Sequence, residues 1–388
     1  MEGAAPSELH AWLREHETEM ASLLVRLASA ETPSTEPEAH EPALRLLAEE
    51  LGGLGFAVRR ISGERTGGAL YARPAKRRRQ APFQLLLGHV DTVWPLGSVD
   101  RIGVAAEDGV VRGPGVFDMK GGLVEILFAL RALSTHGLEP EVTPVVLVNT
   151  DEEIGSIESR PHLERLARCA ARAYVLEPAY GPSGRLKTAR KTAGHFSVLV
   201  RGRAAHAGVD PEAGVSAILE LSHQIQRLFA LNDPQRGITV NVGTIDGGLR
   251  ANVVAPEATA EVDVRVPTME DARAIERAIH ALEPVGEGLT LEVTGRFGRP
   301  PLERTPRNQL LWRAAHVAGS ELGLELEDAA VGGASDGNIT SQYTATLDGL
   351  GPIGDGAHSP DEHVLVRSLP ERAALLALLI LLPAGVTP

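Results

Sequence analysis

The chain has 388 residues, with 38 Lys and Arg against 51 Asp and Glu, and a formal net charge of −13. That length suggests two or three domains of about 150 residues each, and its acidic balance argues against a nucleic-acid-binding protein, which would present a basic surface. The single cysteine, Cys169, excludes an intrachain disulfide and a zinc site built on several thiolates. Any metal must therefore be held by histidines and carboxylates.

The amino-terminal segment has the periodicity of an amphipathic helix and lacks the apolar run of a secretory signal. The apolar side of this predicted helix consists of Leu9, Trp12, Leu13, Met20 and Leu23. Residues 373–382 are the most hydrophobic stretch, but spanning a bilayer takes about 20 apolar residues. We therefore predict a buried carboxy-terminal helix, no membrane association and a cytoplasmic location.

Helix-period and strand-like segments alternate in the first half of the chain. The predicted helices cover residues 42–54 and 121–133, and the predicted strands cover residues 83–87, 143–148 and 173–176. Such alternation predicts an α/β fold with a mainly parallel mixed sheet, flanking helices and ligand sites beyond the carboxyl ends of the strands. The one basic run, residues 76–79, is more typical of a solvated loop than of a nucleic-acid patch in so acidic a chain.

The pattern changes near residue 190. Strands are predicted at 196–200, 238–245, 258–266 and 289–294, and helices at 214–231 and 269–282. The order β-α-β-β-α-β is that of a ferredoxin-like α+β domain. A further helix at 310–322 and the terminal apolar helix follow. The chain is therefore predicted to form a discontinuous domain of residues 1–188 and 304–388, interrupted by an inserted domain of residues 189–303.

Histidine and carboxylate side chains cluster where the predicted strands end. His89 and Asp91 follow the first strand in GHVDTVWP, where a neighbouring carboxylate can orient a metal-binding ring. Asp118 lies between glycines in GPGVFDMKGG, where it suits either a helix cap or a turn that a ligand approaches closely. Taken alone, each motif also fits an ordinary polar turn.

More carboxylates follow the next two strands. Asp151, Glu152 and Glu153 come directly after one, and Glu177 ends the other. Three desolvated like charges are costly, so this run must reach solvent or be compensated by a cation. Late in the chain, AHSPDE supplies His358 in a glycine-rich turn, and GGASDG offers backbone donors for an anionic group.

Together these motifs resemble the co-catalytic zinc metallopeptidase superfamily of aminoacylase, acetylornithine deacetylase and carboxypeptidase G, and most closely its glutamate carboxypeptidase branch. The resemblance covers essentially the whole chain. It rests on GHVDTVWP, GPGVFDMKGG, DEEIGS, the strand end at Glu177, GRAAHAG in the inserted domain, GGASDG and AHSPDE, in family order. One such motif is a weak signal, but the ordered set argues strongly against a chance match.

The resemblance implies two Zn²⁺ per chain, replaceable by Co²⁺ or Mn²⁺. One ion would be bound by His89, Asp118 and Glu177. The other would be bound by Glu153 and His358, with Asp118 bridging the two ions. Imidazole nitrogens and carboxylate oxygens are ordinary zinc ligands.

Catalytic and substrate-binding residues follow from the same resemblance. Glu152 would be the general base, and Asp91 would orient the histidine two residues before it. His206 would stabilise the oxyanion in the active site of the partner chain. The residues that resemble the substrate-binding set are Asn252, Arg265 and Gly333, although Arg265 also suits an ordinary surface arginine.

The implied reaction is hydrolysis of an amide next to a free carboxylate in a small peptide or N-acyl conjugate, releasing a carboxy-terminal amino acid, with glutamate favoured. The same-class alternative is an N-acyl-amino-acid deacylase. A binding protein with this fold but without the chemistry is a further alternative, and so is a metal-free protein with polar turns. The presence of every ligand position, of Glu152 and of His206 argues against the binding protein.

The resemblance also implies roles for the two domains. The discontinuous domain would be the catalytic zinc-binding domain, and the inserted one would be a lid and dimerisation domain. The predicted partners are a small substrate and a second copy of the chain, with no nucleic acid and no membrane.

Overall fold

The computed structural model of the chain describes residues 6–77 and 81–386. Two compact units make up the chain. The first comprises residues up to Thr188, Arg304–Ala330 and residues from Ser335 onward, and the second comprises Ala189–Glu303 and Val331–Ala334.

The short segment Val331–Ala334 belongs to the second unit, whereas the sequence prediction assigns it to the first. Hydrogen bonds explain this placement. The carbonyl of Val331 accepts from the backbone N–H of Lys191 at 3.0 Å, and the carbonyl of Gly333 accepts from the Arg190 guanidinium at 3.1 Å. The lid, dimerisation and catalytic roles of the two domains stay predictions.

Helices and strands alternate through both units. The helices are α1 (Pro6–Glu15), α2 (Glu17–Ser29), α3 (Glu41–Gly53), α4 (Ser98–Ile102), α5 (Gly121–Thr135), α6 (Arg160–Ala167), α7 (Ala217–Phe229), α8 (Met269–His280), α9 (Pro306–Glu321), α10 (Asp336–Thr340) and α11 (Ser368–Leu381). The strands are β1 (Phe56–Ile61), β2 (Ala69–Pro74), β3 (Phe83–His89), β4 (Ala105–Glu107), β5 (Val110–Arg112), β6 (Thr143–Asn149), β7 (Arg172–Val175), β8 (Leu186–Arg190), β9 (Thr192–Arg201), β10 (Thr239–Gly247), β11 (Glu257–Val266), β12 (Thr290–Phe297), β13 (Asp328–Val331), β14 (Ala345–Leu347), β15 (Gly354–Asp355) and β16 (His363–Leu365).

A six-stranded sheet forms the centre of the first unit, in the order β1-β2-β6-β3-β7-β14. The neighbours β6, β3, β7 and β14 are parallel, whereas β1 and β2 are antiparallel and extend one edge. Parallel strands covered on both faces read as continuous apolar runs, which is why β3 and β6 stand out in the sequence. The predicted α/β fold with a mainly parallel mixed sheet is confirmed.

Helices cover both faces of this sheet. Leu86 of β3 belongs to the larger core with α1, α2, α5 and α11, whereas its neighbours Leu85 and Leu87 belong to a core that includes Leu163 of α6 and Ile339 of α10. Successive side chains of a strand point to opposite faces, so one strand contributes to both cores. Within residues 6–77 and 81–386, none of the helices combines the length and apolar character that crossing a membrane requires.

The amino-terminal segment is two helices rather than the single predicted one. Its apolar side is buried as expected at Leu9, Leu13 and Met20, but α1 ends at Glu15 and α2 begins at Glu17. The basic run at 76–79 lies only partly within the described residues. Lys76 and Arg77 are exposed after β2, and residues 78 and 79 lie outside the described range.

The second unit has the predicted ferredoxin-like order of elements. Its sheet runs β10-β11-β9-β12, all neighbouring pairs are antiparallel, and α7 and α8 contribute to the same core. Helix α7 begins three residues later than predicted because Ser216 caps it, its hydroxyl accepting from the backbone N–H of Leu219 at 3.2 Å.

Backbone segments approach one another closely beside the carboxyl end of β7. A Cβ on Gly122, the second residue of α5, would lie 2.0 Å from the carbonyl oxygen of Leu176. A Cβ on Gly351 would lie 2.4 Å from the same oxygen. Only glycine fits at these two positions, and the close approach brings the start of α5 next to Glu177.

We expect Gly122→Ala to lower the free energy of unfolding of the metal-free protein by about 1–3 kcal/mol, because the added methyl group must displace the backbone at Leu176. Gly52→Ala in α3 is the matched control, since a Cβ there has nothing within 4 Å. That change should raise stability by about 0.5–1 kcal/mol. Urea denaturation measures both, and equal stability of the two variants would contradict the close approach.

Candidate active site

Three neighbouring parallel strands carry polar residues to one edge of the central sheet. His89 is the last residue of β3 and pairs with Asn149, the last residue of β6. Glu152 and Glu153 follow β6, and Glu177 follows β7. Because the carboxyl ends of parallel strands meet at the same edge, residues distant in sequence converge there.

Asp118 enters this cluster from the turn before α5. The turn is built around Gly115, whose φ of +73° favours glycine. Asp118 itself has a non-helical backbone (φ −112°, ψ 96°), and the peptide bond that follows it is cis. The residue that precedes α5 is Lys120, so Asp118 is not the cap of this helix.

Two histidines face the two carboxylate oxygens of Asp118. The Nε2 atom of His89 lies 3.2 Å from Oδ1 of Asp118 and 3.5 Å from Oε1 of Glu177. The Nε2 atom of His358 lies 3.4 Å from Oδ2 of Asp118 and 3.2 Å from Oε2 of Glu153. Asp118 is thus shared between two sets of donor atoms, each with one histidine and one glutamate.

The spacing of these atoms fits divalent metal ions. Two donor atoms that each lie about 2.1 Å from one ion in a tetrahedral site are about 3.4 Å apart, close to the four separations above. Donor atoms of His89, Asp118 and Glu153 also lie within 4.8 Å of one another, as do those of His89, Glu152 and Glu177. The predicted ligand residues therefore come together in a cluster that can hold a metal.

Asp91 orients both a ring and a loop. Its backbone carbonyl lies 3.0 Å from Nδ1 of His89, so Nε2 of that ring is left to face Asp118. Its carboxylate accepts the backbone N–H groups of Glu152 at 3.2 Å and of Glu153 at 3.1 Å. One buried carboxylate therefore sets the positions of a histidine and of two glutamates.

The acidic run after β6 divides its work. The Asp151 carboxylate accepts backbone N–H groups of Glu158 at 2.8 Å and Ser159 at 3.0 Å, so its charge is compensated by the chain. Glu152 and Glu153 point into the cluster instead. Of the two outcomes expected for desolvated carboxylates, hydrogen bonding applies to the first residue and a cation site to the other two.

His358 adopts an uncommon backbone conformation. Its φ of +62° lies in the left-handed region, which favours glycine and costs a non-glycine residue about 1 kcal/mol. A turn holds it, with the N–H of Ser359 donating to the carbonyl of Gly356 at 2.8 Å. Strain that persists at such a position is a common sign of a functional residue.

Proximity to carboxylates shifts the pKa values of both rings. Hydrogen bonds to Asp118 and Glu153 raise the pKa of His358 to about 10. Burial disfavours charge on His89, but its bonds to Asp118, Asp91 and Glu177 outweigh that effect and raise its pKa well above the usual value. Burial raises the pKa of Glu153, although His358 opposes this. In the metal-free protein both rings are therefore held in the protonated form.

Some supporting residues lie outside the motifs or roles predicted from the sequence. The Ser34 hydroxyl donates to Oδ2 of Asp91 at 2.7 Å. The carboxylate of Asp336 accepts from Asn149 at 2.7 Å and from Ser156 at 2.5 Å, which supports the acidic loop from below. Asp336 lies in the GGASDG motif, so a signal was present, but nothing in the sequence marks Ser34.

The other predicted site residues belong to the second unit. Nδ1 of His206 accepts from the backbone N–H of Gly208 at 3.2 Å. Arg265 pairs with both oxygens of Asp263, at 2.9 and 3.1 Å. Asn252 accepts a backbone bond from Ala207 through its carbonyl at 3.0 Å. The described geometry of the first unit joins the metal ligands, Glu152 and Asp91, and these second-unit residues are not part of it.

Metal binding should release protons at pH 7. Because the pKa of His358 is about 10 without metal, its ring carries a proton at pH 7 that a cation must displace. Metal affinity should therefore weaken as the pH falls. Calorimetric titration of Zn²⁺ in buffers of different ionisation enthalpy should show about one or more protons released per chain. His358→Ala should lose part of this release and His363→Ala should not; a heat independent of buffer would contradict the assignment.

Comparison with known proteins agrees with this geometry. Residues 85–382 match the family described as Peptidase family M20/M25/M40. The chain is 30% identical to carboxypeptidase G2 of Pseudomonas sp. (strain RS-16) over 372 residues, covering 92% of this chain and 88% of that protein. It is 26% identical to a succinyl-diaminopimelate desuccinylase of Delftia acidovorans over 361 residues, covering 87% and 91%.

A solved structure shares the fold. Aminopeptidase PepT from Bacillus cereus superposes with a TM-score of 0.78 at 23% identity, covering 94% of this chain and 96% of that chain. These matches confirm the predicted superfamily and the prediction of a metal-dependent hydrolase. The chain belongs to peptidase family M20/M25/M40.

Proposed function

We propose that the protein is a di-zinc hydrolase that cleaves an amide bond next to a free carboxylate and releases a carboxy-terminal amino acid. The observation that carries the proposal is Asp118, whose two oxygens face His89 and His358 on opposite sides. A carboxylate in this position suits the bridge of a two-ion site. Its neighbours Glu153 and Glu177 supply one further donor to each side.

Two bound Zn²⁺ would polarise the scissile carbonyl and lower the pKa of a water toward about 7. The chain itself supplies proton transfer. Glu152 is buried beside His89 and Glu177, where it would take a proton from the attacking water and pass it to the leaving nitrogen. Asp91 keeps Glu152 in place by accepting its backbone N–H.

His206 has the tautomer that an oxyanion donor needs. Its Nδ1 accepts from the N–H of Gly208, so in the neutral ring the proton resides on Nε2. Nε2–H can then donate to the oxyanion of the tetrahedral intermediate. Together with Asn252 and Gly333, Arg265 would bind the substrate, since a guanidinium suits a carboxylate. Its present partner Asp263 would have to share it.

A homodimer through the second unit is part of the proposal. Large apolar side chains are exposed on α7, where Leu219 is 60% exposed, and on β10 and the loop after it, where Ile245 and Leu249 are 65% and 72% exposed. Strand β10 is an edge strand of its sheet, and an apolar, unpaired edge favours pairing with a second copy. A cytoplasmic location stays a prediction.

Relatives support two substrate classes. Similarity to carboxypeptidase G2 supports release of a carboxy-terminal amino acid, with glutamate favoured. Similarity to a succinyl-diaminopimelate desuccinylase supports the alternative, an N-acyl-amino-acid deacylase. Both reactions need the same metal ligands and base, so the difference lies in which acyl group is accepted.

Glu152→Gln should reduce turnover by about 10²- to 10⁴-fold and leave the bound metal unchanged, because it removes a proton acceptor and no ligand. His358→Ala should instead reduce the metal content, measured by elemental analysis. Glu164→Gln makes the same chemical change in a surface pair with Arg160 and should leave turnover unchanged. Near-normal turnover of Glu152→Gln would refute its role as base.

The same variant tests the dimer. If His206 acts in the partner's active site, mixing His206→Ala chains with Glu152→Gln chains should restore part of the activity, because some mixed dimers contain one intact site. Each variant alone should stay inactive. No recovery in a mixture that exchanges subunits would contradict action across the dimer.

A substrate panel separates the two reactions. With Zn²⁺ added, dipeptides and N-acyl conjugates ending in glutamate should have the highest kcat/KM, and removal of metal by a chelator should abolish hydrolysis. Faster cleavage of acetyl and succinyl amino acids would favour the deacylase. A protein that binds two metal ions and cleaves no member of the panel would support the inactive binding protein instead.

A further inference from the structure

Glu362 is a buried carboxylate that contacts the turn carrying Asp118. Its side chain is four residues after His358, and the residue is only 1% exposed. Oε1 accepts the backbone N–H groups of Phe117 and Asp118, both at 3.0 Å. Oε2 accepts the N–H of Gly115 at 2.9 Å and the indole N–H of Trp94 at 3.2 Å.

We propose that Glu362 is a positioning residue that fixes the orientation of Asp118 between the two histidines, and thereby sets both metal affinity and turnover. The proposal rests on the proposed function for its catalytic part. Its structural part rests on the four donors that converge on one carboxylate.

The Asp118 turn needs an external acceptor. Its backbone at Asp118 is non-helical, so the N–H groups of Phe117 and Asp118 lie outside a regular helical ladder and donate to Glu362 instead. Fixing the N–H of Asp118 fixes the plane of the peptide from which its side chain projects. The direction of the two carboxylate oxygens follows from that plane.

Glu362 also joins this turn to the segment that carries His358. The backbone carbonyl of Glu362 accepts the N–H of Gly113 at 3.2 Å, and its own N–H donates to the carbonyl of Ser359 at 3.0 Å. Main chain and side chain of one residue therefore hold both ends of the Asp118 turn. The separation between Asp118 and His358 depends on this residue.

A carboxylate is required here, because every partner of the side chain is a donor. A glutamine of the same shape would present an NH₂ group to two of the four N–H groups, which removes two acceptors and places donors against donors. Glu362→Gln is therefore a strong perturbation at this position despite its equal size.

The matched control is Glu220→Gln in the second unit. Glu220 is also buried and accepts two backbone N–H groups, from Val285 at 2.9 Å and Gly286 at 3.0 Å, together with the side chain of Gln224. The same chemical change there removes comparable hydrogen bonds in a unit that holds none of the metal ligands. It reports the general effect of losing a buried carboxylate.

The test uses the full chain after removal of metal by a chelator. We measure the affinity for Zn²⁺ by competition with a chromophoric chelator, the visible absorption of the Co²⁺-loaded protein, and Tm. Glu362→Gln should weaken metal binding about 10- to 100-fold and alter the Co²⁺ spectrum, as loss of a group behind a ligand does. Its kcat should fall even when metal is saturating. Glu220→Gln should lower Tm alone.

Wild-type affinity and an unchanged Co²⁺ spectrum in Glu362→Gln would overturn the proposal, whatever happens to Tm. If that variant does not fold, Trp94→Phe decides, because it removes one of the four donors. A weakened affinity supports the proposal, and a wild-type affinity and spectrum overturn it. A wild-type protein that binds two ions but cleaves no substrate would refute the proposed function and leave the positioning role standing; one that binds no metal would refute both.

Discussion

The site depends on one shared carboxylate. Asp118 offers one oxygen to the side of His89 and the other to the side of His358. A single carboxylate can serve two ions only if its plane is fixed, because a rotation that improves one set of distances worsens the other. The glycine turn, the bonds from Glu362 and the close approach at Gly122 all restrict this plane. They belong to one constraint rather than to separate decorations of the fold.

Charge explains why the surroundings are so well bonded. Several carboxylates meet at the edge of the sheet, and like charges removed from water repel strongly. The chain neutralises those that have no metal to bind, with backbone N–H groups on Asp91 and Asp151. Lys120 adds a buried cation, and burial lowers its pKa to about 8 while Glu362 and Asp91 oppose that change. The carboxylates left over are those that a divalent cation must compensate.

Much of this could be predicted from the sequence, because β3, β6 and β7 are apolar runs with acids or histidine directly after them. Parallel strands then bring those residues to one edge without further information. The roles of Ser34 and Glu362 could not be predicted in this way, since each depends on a contact between distant segments. The break at His16 also escaped, because the apolar spacing continues from α1 into α2. There the ring of His16 bonds to the carbonyl of Trp12 at 2.8 Å.

The interruption of the first unit by the second has a consequence for biosynthesis. Strand β14 pairs with β7 through Ala345 and Arg172, so during translation β7 stays an open sheet edge until the whole inserted unit has emerged from the ribosome. His358 is the last ligand to be made, and an open edge invites pairing with other nascent chains. The loop-closure entropy of such a long separation grows only slowly with length. The burden of this architecture therefore falls on folding time rather than on final stability.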